Sequence, residues 1–124
     1  MKRTGHWLHG FLDLCLLASL NSGPNYGFAL AQRLAETSLG EVPGGTLYPA
    51  LLRLEQQGWV LVSWVASESG PRRKYYALTD SGRAVLERDA SRWQQFRDSI
   101  DTVLSANAVP VHSPKQTRPP GARL

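Results

Sequence analysis

Cysteine is almost missing. Cys15 is the single one in 124 residues, which excludes an intramolecular disulfide framework. It stands in an apolar stretch, where a thiol behaves as a small core hydrophobe, and a reducing, cytoplasmic setting fits it. Metal ligands are equally sparse. His6 and His9 are three apart, but no carboxylate or second cysteine joins them at ligand spacing, so they read as surface histidines. Gly44-Gly45 precedes no Lys-Ser/Thr pair, so a phosphate-binding loop is absent. Asp98 and Asp101 are also three apart and read as solvated charges, not as an acid–base pair. No catalytic residue, metal or cofactor is expected, and the chain does not read as an enzyme.

Long apolar runs are lacking too. Lys2 and Arg3 ahead of Phe11 to Leu20 have the outline of a secretory signal, but Asp13 interrupts the run. The run is about half of what a membrane span needs, so it reads as a buried helix, with no membrane partner. The charge excess is likewise thin. Lys and Arg number 14 against 10 Asp and Glu. Three of the cations, Lys115, Arg118 and Arg123, fall in a terminal stretch without acids. The basic pI near 9.6 is therefore mostly a property of the tail. A case for nucleic acid must rest on where charges cluster.

What is present is a clear alternation of elements. Leu8, Leu12, Cys15 and Ser19 line one face of a helix predicted from about Trp7 to Asn21, and Phe11, Leu14, Leu16, Leu17 and Leu20 widen it. Ser22-Gly23-Pro24-Asn25 stops it. A short helix follows, about Tyr26 to Glu36, with Ala29, Leu30, Leu34 and Ala35 inward. After a turn rich in Gly and Pro, a third helix runs from about Gly45 to Gln57. There Leu47, Ala50, Leu51 and Leu54 share one side, and Thr46, Pro49, Arg53 and Gln56 the other. Gly58 is its stop. Trp59 to Val65 and Lys74 to Leu78 read as two strands of a hairpin with a long, loose turn from Ala66 to Arg73. Thr79 is placed to cap a fourth helix reaching about Leu104. Ala108 to Leu124 holds four prolines and is expected to be disordered.

This order predicts a mainly α (α+β) fold, a winged helix-turn-helix with a long C-terminal dimerisation helix. Residues 1–78 are the DNA-binding domain, 79–104 the dimerisation helix, and 105–124 a Pro-rich basic tail. The second helix of such a unit offers its N-terminal residues to a major groove of double-stranded DNA. Here those are Gly44, Gly45, Thr46 and Pro49, with Tyr48 on the flank. Small residues let the backbone come close, and helix N-terminal amides suit a phosphate. Arg72-Arg73-Lys74 at the hairpin turn would be backbone or minor-groove contacts. On the last helix, Leu86, Ala90, Trp93, Phe96 or Arg97, Ile100 and Leu104 step by three and four, a seam that a second copy would bury.

These residues resemble the PadR family of bacterial transcriptional regulators. The likeness covers about Leu8 to Leu104. It is carried by Tyr26-Gly27-Phe28, Gly45-Thr46-Leu47-Tyr48-Pro49-Ala50-Leu51, Arg53-Leu54-Glu55 with Gly58, Arg73-Lys74-Tyr75-Tyr76 and Leu78-Thr79-Asp80-Ser81-Gly82. It implies a homodimeric repressor acting on a palindromic operator. The DNA contacts would then be Tyr26, Gly45, Thr46, Tyr48, Pro49, Arg53, Arg72, Arg73 and Lys74. The single C-terminal helix is similar to a short subfamily that senses multidrug compounds with a tryptophan at the dimer centre. By that likeness Trp93, with Leu14, Leu17, Phe96 and Ile100, would hold a small aromatic effector. Two features depart from the pattern. Phe96 and Arg97 make the turn after Trp93 bulky and charged, and Pro43-Gly44-Gly45 lacks the usual Ser or Thr cap. The competing reading is a winged-helix protein-interaction module that touches no DNA, which would show an exposed apolar patch in place of the cationic cluster.

Overall fold

A computed structural model describes residues 3–110, and their side chains from Phe11 onward. The expected disorder of the tail beyond Pro110 lies outside the described residues. The chain divides into two compact units, the first ending at Ala90 and the second beginning at Ser91.

The first unit opens with α1 (Arg3–Ser19), which passes into a 3-10 turn (Leu20–Ser22). Gly23 ends it at φ 139°, its N–H bonded to the Leu20 carbonyl. Two extended residues, β1 (Asn25–Tyr26), lead into α2 (Gly27–Ala35). The hydroxyl of Thr37 closes that helix by donating to the Leu34 carbonyl at 2.7 Å. α3 (Gly44–Gln56) starts behind Pro43, whose carbonyl accepts from the amides of Thr46 and Leu47. It finishes in a paired cap, with Trp59 N–H on the Leu54 carbonyl and Gly58 N–H on that of Glu55. This geometry needs a left-handed residue, and Gly58 supplies it at φ 78°.

β2 (Val60–Ser67) and β3 (Gly70–Leu78) form the hairpin, and β1 adds to the other side of β3, giving the order β1-β3-β2. Ala66 to Arg73 is not the loose turn expected from its composition: the ladder continues to Ser67 opposite Gly70. Pro71 and three consecutive cations carry neither alternation nor β propensity, so only cross-strand pairing reveals them as strand. Pro71 is tolerated because it falls at the register shift near the turn, beyond the short reach of β1.

α4 (Asp80–Ala106) begins under the expected cap, the Gly82 amide donating to the Thr79 hydroxyl oxygen at 2.9 Å. That hydroxyl donates in turn to the Gly58 carbonyl at 2.8 Å. Gly82 is buried, and a Cβ there would collide with the Trp59 carbonyl. The absence of a side chain lets helix and strand close on each other. Leu12, Leu16, Leu17, Leu20, Leu30, Leu34, Leu47, Leu51, Leu54, Val60, Tyr76 and Val85 make the core, with Leu86 packed against it.

In the second unit, the α4 residues from Ser91 on are mostly exposed, with Asp101 and Leu104 half-buried. The helix ends like α3, with Val109 N–H on the Leu104 carbonyl and Ala108 N–H on that of Ser105. Here an alanine takes the left-handed position, at φ 61°. No described helix is long and apolar enough to cross a membrane.

Candidate nucleic-acid interface

The outer face of α3 is built from small residues and one ring. No side chain caps its N-terminus, and the first amides, those of Gly44 and Gly45, have no acceptor within the helix. Tyr48 is half-exposed and lies over Gly27 and Gly44. Pro49 lacks an N–H, so the Gly45 carbonyl one turn earlier loses its helical donor. Donor amides and a spare acceptor carbonyl thus share the exposed first turns of one helix. Thr46 is only half-exposed, at the edge of a hollow of about 110 Å³ with Leu12, Gly45, Pro49 and Arg53.

Arg53, expected on the outer side of this helix, is held by an ion pair. Its guanidinium donates to Asp13 Oδ1 on α1 at 2.8 Å, both side chains partly exposed. The acid that interrupts the first apolar run is its counter-ion.

The cations of the hairpin are also placed differently from expectation. They lie within β3, and the turn itself is Glu68-Ser69. Strand alternation sends them to two faces. The guanidinium of Arg73 stacks 4.5 Å from the ring centre of Tyr26, which packs against Tyr75 at 5.4 Å. Lys74 turns to the opposite face, 5.6 Å from the Tyr76 ring and 3.7 Å from Glu55 of α3. Arg72 lies 6.0 Å from the ring of Trp64 on β2. Burial pushes the phenol of Tyr76 above its ordinary pKa, opposed by the nearby Lys74 charge.

Between α2, α3 and β3 these residues enclose an open cleft of about 390 Å³, lined by Tyr26, Gly27, Phe28, Tyr48, Leu52, Arg73, Lys74 and Tyr76. Aromatic walls with two cations suit a polyanion that also has flat or apolar parts. Leu52 and Trp64 were not singled out from the sequence, and Phe28 only as part of a family motif, because an exposed apolar residue has no periodic signature of its own. β1, which brings Tyr26 opposite Tyr75, is too short to show a period.

The residues expected to hold an effector are not alike. Leu17 is 1% exposed in the core of its own chain, so it has no surface left to offer a ligand. Its helix is apolar on several sides, and sequence periodicity could not tell core from free face. Leu14 is half-buried. Trp93, Phe96 and Ile100 are exposed, with the Trp93 and Phe96 rings 6.2 Å apart. Of the expected seam, Leu86 belongs to the core of the first unit, while Ala90 and Leu104 are half-buried. Among the described residues no His, Cys, Asp and Glu group could hold a metal ion.

Residues 16–88 match the PadR-like family of transcriptional regulators. The chain belongs to that family. As a PadR-like regulator it is a DNA-binding protein of transcription control and not an enzyme. Solved PadR-like structures share the fold. The regulator from Eggerthella lenta is 34% identical, with a TM-score of 0.71 over 80% of this chain and 86% of its own. The Bacillus cereus protein is 31% identical, with a TM-score of 0.72 over 80% and 96%. A Clostridium difficile regulator is 29% identical, with a TM-score of 0.70 over 76% and 98%.

Proposed function

We propose that this PadR-like regulator is a repressor that binds a palindromic operator as a homodimer and releases it when a small aromatic compound binds. The observation that carries the DNA contact is the cleft shared by α2, α3 and β3. It sets Arg73 and Lys74 beside Tyr26 and Tyr48, and the Tyr48 ring in turn lies against Gly44 at the uncapped start of α3. In this reading the cleft receives one sugar–phosphate strand, Arg73 and Lys74 neutralise it, and the first turns of α3 enter the major groove. Thr46 and Pro49 flank that entry, and Arg53 contributes only as far as Asp13 releases it.

Pairing is assigned to the exposed stripe of α4. Trp93, Phe96, Ile100 and Val103 are apolar and turned to solvent, and a second copy would cover them. Ala90 and Leu104 extend the seam. The adjacent Trp93 and Phe96 rings are the surface on which a flat aromatic effector would stack. A compound bound there changes operator affinity only if it binds the free and DNA-bound states unequally.

The protein-interaction alternative draws on one observation, the exposed Leu61, Trp64 and Val65 of β2. The interleaved cations and the open start of α3 favour DNA. Selection of duplexes from a random pool by the full-length chain tests this. A palindromic consensus is the expected result, and failure to enrich any sequence over bulk DNA would reject the reading. Titrating planar aromatic compounds into the complex then tests release.

A further inference from the structure

Trp64 is 57% exposed. It stands opposite Lys74 across the hairpin, on the face that carries Val60 and Val62 with Leu78 and Tyr76 as their partners. Val60 and Tyr76 are buried at the inner end of this face, and Lys74 reaches Glu55 of α3. This is therefore the side of the hairpin that turns toward α3. Its inner end closes the core. Its outer end carries Trp64 and Arg72 into solvent, with the guanidinium 6.0 Å from the indole centre.

Nothing on β2 is charged, so the ring has no polar escort on its own strand apart from Ser63 and Ser67. An indole held this way is a flat apolar plate with a cation at its edge. The minor groove of DNA is the complementary shape. Its walls are deoxyribose carbons, and its floor carries a negative potential that favours arginine. A strand seated in the cleft of Arg73 and Lys74 brings the adjacent groove next to the continuation of the same hairpin.

We propose that Trp64 and Arg72 are a paired minor-groove contact, the indole packed along the sugars and Arg72 extended into the groove. This rests on the DNA reading above and adds to it an apolar contribution that carries no charge. The two residues are therefore separable by salt. Removing Arg72 removes one phosphate-type interaction and flattens the salt dependence by about 0.9 in logarithmic slope. Removing Trp64 lowers affinity and leaves the slope alone.

The experiment titrates the full chain into a fluorescent duplex that it has itself selected, at several salt concentrations. It compares wild type, Trp64→Ala, Trp64→Phe and Arg72→Ala, and follows tryptophan emission as well as anisotropy. Both positions are on the surface, and circular dichroism confirms folding of each variant. The expected results are about a tenfold weakening for Trp64→Ala at every salt concentration, the size of one lost apolar contact, and a DNA-induced emission change that Trp64→Phe abolishes. An unchanged affinity for Trp64→Ala together with an unchanged emission response in Trp64→Phe would overturn the proposal. So would unchanged DNA affinity with a lower light-scattering mass, which would make Trp64 a contact between copies. If the wild type selects no duplex, the DNA reading itself fails, a result distinct from both.

Discussion

The ring of Tyr48 lies against the α-carbon of Gly27, so closely that a methyl group there would come within 2.6 Å of it. The approach of α2 and α3 is set by this contact between a ring and a missing side chain. Gly27→Ala should cost about 1–3 kcal/mol in urea denaturation, as overpacking does. In a Tyr48→Ala background the same change should cost far less, because the ring it would strike is gone. Equal costs in both backgrounds would show that the ring does not limit the approach.

Pro49 sets stability against recognition. Pro49→Ala restores an N–H for the Gly45 carbonyl, and stability should rise by up to about 3 kcal/mol. Selection from the random pool should at the same time show weaker preference at one base pair, since a carbonyl engaged in the helix no longer accepts from a base amine. A variant with higher stability and an identical consensus would remove Gly45 from the reading surface.

Asp13 restrains Arg53. Both side chains are substantially exposed, so Asp13→Asn should change stability by no more than about 0.5 kcal/mol. Affinity for random-sequence DNA should rise, and the salt slope should steepen, because a cation is released. Asp13→Asn combined with Arg53→Ala should lose both effects.

Ile100→Asp should abolish pairing. It puts a charge in the middle of the exposed stripe on α4, and a charge without a partner is costly to bury. Light scattering should give two chains for the wild type at micromolar concentration and one for the variant. Affinity for a palindrome should fall toward that for a single half-site.

Tyr76 should give stability a dependence on alkaline pH. Burial raises its phenol pKa in the folded state, so the folded chain holds that proton more tightly than the unfolded chain. The contribution is complete below the ordinary tyrosine value of about 10 and is lost as pH rises through the raised folded value. Urea midpoints should therefore decline above about pH 10, and Tyr76→Phe should flatten that decline.

Four helices, a hairpin and their stops were readable from the residues because each signal is local. Gly58 after Leu54 and Thr79 before Gly82 act within a few positions. What escaped depends on distance along the chain. Asp13 and Arg53 are forty residues apart, and no periodic pattern on either helix announces their meeting. β3 extends to Gly70 because β2 is there to pair with it, not because Pro71-Arg72-Arg73 favours a strand. Leu17 and Ile100 look alike in a list of apolar helix positions, yet one is sealed in the core and the other is open to solvent. Helical period gives a face; what covers that face is a tertiary fact.

Among the described residues, the strand order β1-β3-β2 leaves β2 with one long side unpartnered, and its eight residues, Val60–Ser67, include neither a charge nor a proline. Open N–H and C=O groups in such a row are a template for another strand. For whoever handles the protein, the hairpin is therefore its sticky part. Concentrated stocks at high salt, with the neighbouring cations screened, are where wing will meet wing. One lysine at Ser63 would be the cheapest safeguard.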